Sequence, residues 1–295
     1  MPVLATSDPR LSPWERVPPH LYFVGSAVFH YLGPSFAVLL FARVSVGGVA
    51  WLRIVSAAVV FALWRRPWRA FVEMERETKV LVAVLGALLA LMNYTFYAAI
   101  DRLPLGTVAA IEFVGPIVLS LIGIRSGRNL AAVGLAASGV YLLADVRLAG
   151  EPIGFTLAAL NAALFTLYIV IAHRVSRAGT AATSVDRLGA AMLIATVVIT
   201  PIGLPGAIPV LGDPVLVAAG IGVGLSSSVI PYVFDQMAMR RLPRSTYALF
   251  VALLPATAVV IGLIVLGQVP VWSELVAVVL IIGGIFCHQT LEETS

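Results

Sequence analysis

The sequence predicts an all-α membrane protein of ten transmembrane helices, arranged as two inverted five-helix repeats. Three observations carry this expectation: an apolar composition that only lipid accommodates, ten apolar runs of spanning length, and a self-similarity between the two halves. Of 295 residues, 60% are hydrophobic and 12% charged. That is about half the charged share of a soluble domain. Mean hydropathy is +1.00. No water-soluble fold hides so much apolar surface, so the solvent is expected to be a bilayer.

A helix needs about 20 apolar residues to cross the hydrocarbon core. Ten runs approach or exceed this, at residues 20–41, 46–64, 80–100, 105–124, 130–144, 153–172, 188–204, 213–236, 245–266 and 271–288. Helices are required because lipid offers no partner for an open strand edge. The fifth run is short and the eighth contains Pro231, so their limits are the least sharply drawn. Residues 1–19 are polar and proline-bearing, and read as a cytoplasmic segment. The run after them is too long for a signal-peptide core and reads as an uncleaved first span.

Basic residues orient the chain. Arg10 and Arg16 precede the first span, and Arg65, Arg66, Arg69, Arg76 and Lys79 follow the second. Arg125 and Arg128 follow the fourth, Arg174, Arg177 and Arg187 the sixth, and Arg240, Arg241 and Arg244 the eighth. The other side has Arg43, Arg102 and Arg147, while Arg53 lies within the second span. Fifteen against three predicts that both termini are cytoplasmic, in a multi-pass protein of the cell (inner) membrane. The net charge of +4 thus serves topology, and no aromatic-interleaved basic stripe suggests nucleic acid.

The repeat is read from spaced matches. Leu103-Pro104 recurs as Leu242-Pro243, and the same shift of 139 carries Pro116 onto Pro255 and Gly123 onto Gly262. Arg43-Val44-Ser45 recurs as Arg174-Val175-Ser176 with a shift of 131. The units expected are residues 20–145 and 146–290, with 291–295 as a cytoplasmic tail. Five spans per unit force the copies into opposite orientations. Such inverted repeats are typical of alternating-access transporters, with the substrate between the halves near mid-membrane.

Polar residues inside the spans are the candidate site. Glu112 lies about seven residues into the fourth span, where an ionisable group is costly. Pro116 lacks an N–H and so frees the carbonyl of Glu112. Pro34 does the same for His30 in the first span, and the shift of 131 sets His30 opposite Asn161. Asn93 and Tyr97, four apart, share a helix face, with Tyr94 on an adjoining one. Tyr232 matches Asn93 under the shift of 139, and Tyr168 is a further candidate lining residue. Glu112 is also the candidate coupling group, since a proton and a substrate ammonium compete for one carboxylate. Pro34, Pro116, Pro231 and Pro255 are the expected helix breaks. Arg53 could bind an anionic group. The plainer readings are packing for His30 and Asn161, interfacial anchoring for the tyrosines, an ordinary helix end for Asp235 and Gln236, and snorkelling for Arg53. The serines of Gly224-Leu-Ser-Ser-Ser228 read as permitting close helix packing.

Met92-Asn-Tyr-Thr-Phe-Tyr97 and Leu103-Pro-Leu-Gly-Thr-Val-Ala-Ala-Ile-Glu-Phe-Val-Gly-Pro116 resemble the third and fourth spans of the threonine/homoserine exporters. These belong to the EamA branch of the drug/metabolite transporter superfamily. Ser228-Val-Ile-Pro-Tyr232, Arg241-Leu-Pro243 and the segment from Arg53 to Arg69 resemble the same family. The resemblance implies a ten-helix basket and export of amino acids or related small polar metabolites. Two carboxylates frequent in the family are absent, where this chain has Leu254-Pro255 and Gly267-Gln268.

Enzyme chemistry finds no foothold in the sequence. His30, His173 and His288 lack metal-site spacing, and the Gly-x-Ser at Gly224 does not extend to GxSxG. A Walker sequence is missing, so ATP is not expected to drive transport. The single Cys287 excludes an internal disulfide and a CxxC motif. No cofactor or metal is expected. The expected partners are a small-molecule substrate, the lipid bilayer and, for coupling, protons. The sequence leaves the oligomeric state open. Other cargo, such as lipophilic cations or nucleobases, and a lipid-handling accessory role stay open as alternatives.

Overall fold

The computed structural model describes residues 17–115, 118, 127–147, 151–177, 184–231, 233, 234 and 254–287. Among them the regular elements are all helical. In chain order the helices are α1 (Pro19–Leu40), α2 (Val46–Arg65), α3 (Pro67–Glu73), α4 (Arg76–Ile100), α5 (Leu105–Glu112), α6 (Gly127–Arg147), α7 (Pro152–Arg177), α8 (Ser184–Ala207), α9 (Pro214–Gly224), α10 (Leu254–Leu266) and α11 (Trp272–Cys287). A short 3-10 turn, Ile208–Val210, follows α8, and a π-turn, Leu225–Val229, continues α9. Each of the ten apolar runs carries a helix over at least part of its length. Five segments are long and apolar enough to cross a membrane: His20–Leu40, Val46–Arg65, Arg76–Ile100, Pro152–Val175 and Val185–Val210. Leu63, Val197, Ile264 and Val279 stand exposed on the perimeter, as lipid-facing side chains do and those of a soluble fold rarely do in such number.

Local chemistry sets the helix ends. The Ser45 hydroxyl accepts from Gly48 N–H and opens α2, and the Asp213 carboxylate accepts from Val215 and Leu216 N–H to open α9. Arg66 takes a left-handed conformation, φ 50°, and breaks α2 from α3. The Gln268 side chain accepts from the orphan N–H of Leu105 at 3.0 Å, so α5 is capped from a residue 163 positions away. Glu274 is buried at the head of α11, accepting from Val271 N–H and the Thr107 hydroxyl.

The principal neighbours are α2 with α8 and α9, α4 with α7 and α8, α1 with α9 and α10, α5 with α7 and α10, and α6 with α11. The α2–α8 contact is backbone on backbone. A Cβ added to Gly48 would stand 2.6 Å from the carbonyl oxygen of Gly206, and one on Gly203 would stand 2.6 Å from that of Gly47. Only glycine permits this approach, a familiar device where lipid supplies no hydrophobic drive between helices.

One end of the bundle gathers basic residues. There Arg65, at the end of α2, pairs with Asp186 of α8 at 3.0 Å. Arg187 donates to the carbonyl of Val175, at the end of α7. The other end is tied by Gln268 to Leu105, by Thr107 to Glu274, and by Arg102 to Glu151 at 3.6 Å. These are called below the basic face and the opposite face.

Candidate substrate cavity

Among the helices lies a cavity of ≈ 190 Å³. A water takes about 30 Å³ of the liquid, so several waters or one small metabolite fit. Its wall draws on six helices and the π-turn. The polar lining residues are His30, Arg53, Asn93, Glu112, Tyr168, Ser227 and Ser228, and the apolar ones include Met92, Phe96, Phe165 and Met192. No residue before Arg53 in α2 or before Glu112 in α5 takes part, whereas Leu188, near the start of α8, does. The cavity therefore extends toward the basic face and ends below the opposite one.

Glu112 sits at the inner end. It is 8% exposed, and its Oε1 accepts from Asn161 Nδ2 at 3.0 Å. Asn161 is wholly buried on α7 and stands behind the carboxylate; its own Oδ1 finds no partner among the described residues. The Tyr31 hydroxyl is also buried and without a partner among the described residues. Asn93 spends its Nδ2 on the carbonyl of Leu89 at 2.7 Å, which leaves Oδ1 as the acceptor it can present. His30 lines the wall beside Pro34, its ring set edge-on to that of Tyr31.

Arg53 departs from the snorkelling expected of it. Its Nε donates to Ser228 Oγ at 3.2 Å and its Nη2 to the carbonyl of Ser227 at 3.3 Å. The guanidinium carbon lies 5.1 Å from the ring centroid of Tyr97, a cation–π distance. Pro231 stands four residues on and has no N–H, so the α-helical donor to the Ser227 carbonyl is missing. The helix relaxes into the π-turn there, as helices often do at functional sites. Snorkelling needs only a long side chain near a helix end; two acceptors and an aromatic face on neighbouring helices outweigh it here. The serines do pack closely, since a Cβ on Gly33 would stand 2.7 Å from Ser227 N. They also anchor Arg53, a role that side-chain size alone could not reveal.

The remaining candidates divide. Tyr97 is fully buried one layer behind the wall, its ring under Arg53 and its hydroxyl without a partner among the described residues. Tyr94 does not line the cavity; its ring approaches Gly47 of α2, 3.7 Å from where a Cβ would stand. Pro34 and Pro231 are lining residues, and Pro255 is buried in α10. Pro34 does not break its helix as expected, for α1 runs unbroken through it from Pro19 to Leu40. Pro116, Tyr232, Asp235 and Gln236 lie outside the described residues.

Comparison with known proteins places this architecture. Residues 152–288 match the model of the EamA-like transporter family. The chain is 30% identical over 255 residues to the threonine/homoserine exporter RhtA of Salmonella typhimurium (strain LT2), covering 85% of this chain and 84% of the relative. It is 30% identical over 258 residues to threonine/homoserine exporter RhtA of Escherichia coli (strain K12), with the same shares covered. A solved crystal structure aligns over 91% of this chain and 95% of its own length, with a TM-score of 0.61 and 17% identity, which shows a common fold. This chain is a member of the EamA-like transporter family.

Proposed function

We propose that the protein is a secondary active transporter that exports amino acids or related small polar metabolites across the inner membrane by alternating access. The observation that carries this reading is the cavity itself. It is walled by both halves, and its buried Glu112 is held by Asn161 from the other half. The threonine/homoserine exporters among the relatives agree with it.

The two units are residues 20–145 and 146–290, each of five spans in opposite orientation, with residues 1–19 and 291–295 cytoplasmic. Helix packing supports this. Exchanging α1, α2, α4, α5 and α6 for α7, α8, α9, α10 and α11 in order leaves the set of principal neighbours unchanged: α4–α7 becomes α9–α1, α4–α8 becomes α9–α2, and α1–α10 becomes α7–α5. The basic face is then cytoplasmic, and the cavity is the inward-facing site.

Glu112 carries the chemistry. A zwitterion brings an ammonium into a low-dielectric site, where bare burial is prohibitive. Oε2 of Glu112, not engaged by Asn161, supplies the counter-charge. A proton binds the same oxygen, so loading by substrate and by proton exclude each other, and exchange follows. His30, Asn93 and Tyr168 complete the polar wall. The cationic Arg53 in the same cavity weighs against a lipophilic cation as cargo. Proteoliposomes loaded with a panel of labelled amino acids test the reading. Efflux of at least one, stimulated by an opposing proton gradient, is expected; no efflux across the panel, with a cation or nucleobase moved instead, rejects it.

A further inference from the structure

We infer that Arg53 and the π-turn that holds it form a carboxylate subsite, so that the cavity selects zwitterions gripped at both ends. The inference rests on Glu112 as the ammonium partner.

Three features of the site carry it. First, the guanidinium is only half used. Arginine has five N–H donors in a rigid fork. The edge formed by Nε and Nη2 faces Ser228 Oγ and the Ser227 carbonyl. The edge formed by Nη1 and the second hydrogen of Nη2 has no partner among the described residues, and Arg53 lines the cavity. That edge matches the two oxygens of a carboxylate, the bidentate geometry in which arginine binds most strongly.

Second, the acid and the base stay apart. Arg53 and Glu112 line one cavity. The ion pairs of the described residues are nonetheless Arg65–Asp186 and Arg102–Glu151, not Arg53–Glu112. Each member of the pair is held from behind instead, Glu112 by Asn161 and Arg53 by the serines and Tyr97. Two opposite charges fixed apart across a cavity leave room for a ligand that carries both charges in reverse order.

Third, the holding is costly to build. It takes a π-turn beside a proline and a buried tyrosine under the cation. An arginine serving solubility or topology needs none of these. Such a fork held in place loses little entropy on binding.

The test measures binding of L-threonine and L-homoserine to the purified full-length protein by calorimetry. Each is offered as the free amino acid, as the carboxamide, which removes the negative charge, and as the N-acetyl form, which removes the positive one. The carboxamide is expected to bind roughly tenfold more weakly than the acid, or worse. Arg53→Gln should weaken the acid to the level of the carboxamide, and Arg53→Lys, which keeps charge but loses the fork, should fall between. Equal binding of acid and carboxamide by the wild type overturns the subsite, with no variant required. An acid-to-carboxamide ratio unchanged in Arg53→Gln overturns the assignment to Arg53. The N-acetyl arm reports separately on the underlying reading: binding as tight as that of the free amino acid removes Glu112 as ammonium partner and with it the two-ended grip. Failure of both free amino acids to bind overturns the substrate class and the inference together.

Discussion

Asn161 Nδ2 donates to Glu112 Oε1 across 3.0 Å, a single bond that joins α7 to the end of α5. It engages one oxygen of a carboxyl group that lines the cavity. Asn161 is thus a positioning residue. In Asn161→Ala the carboxylate loses its donor and its fixed orientation, and a buried charge-assisted bond contributes about 1.5–3 kcal/mol. We expect roughly tenfold weaker apparent substrate affinity, with Asn161→Ser recovering part of it. Unchanged affinity in both variants would separate Asn161 from the site.

Glu112→Gln should insert and fold as wild type but lose efflux of amine-bearing substrates, or else lose its dependence on pH. Glutamine imitates the protonated acid and can never present the negative charge. Efflux followed against pH for both proteins decides the matter. Parallel curves of similar height would leave Glu112 as a structural hydrogen-bonding group.

Gly48→Val should destabilise the protein by about 1–3 kcal/mol, the cost of overpacking a close contact. The new side chain would meet the Gly206 carbonyl at 2.6 Å. The control is Gly212→Ala, where a Cβ meets nothing within 4 Å, and a change below about 0.5 kcal/mol is expected. Thermal unfolding in detergent compares the two. A Gly48→Val protein that melts with wild type would mean that α2 and α8 do not approach this closely in the membrane.

The basic face should be cytoplasmic. With Cys287 as the sole cysteine, a Cys287→Ser background gives clean thiol labelling. An impermeant reagent added to intact cells should label Gly212→Cys and spare Glu73→Cys. The reverse pattern would invert the topology.

Much of this architecture was legible before any coordinates. Apolar run length decides helix position in lipid, because every backbone group must be satisfied within its own segment. Glu112, His30, Asn93 and Tyr168 were legible for a related reason: a polar group at depth is rare, so its type and position suffice to nominate it. Arg53 was not. Its direction depends on acceptors in the π-turn, 174 and 175 residues away. Sequence displays Pro231 but not which donor takes up the Ser227 carbonyl. Tyr97 lies beneath the wall because the face it shares with Asn93 is wide enough for only one of them to meet the cavity, and Tyr94, on the adjoining face, turns toward Gly47 of α2.

Gln268 carries a last consequence. It latches the opposite face by accepting from Leu105 N–H with an amide oxygen. An amide does not titrate, so this latch has the same strength in acid and in alkali. A carboxylate there, the residue its family resemblance leads one to expect, would make this contact answer to pH. The Gln268 latch gives protons no such handle.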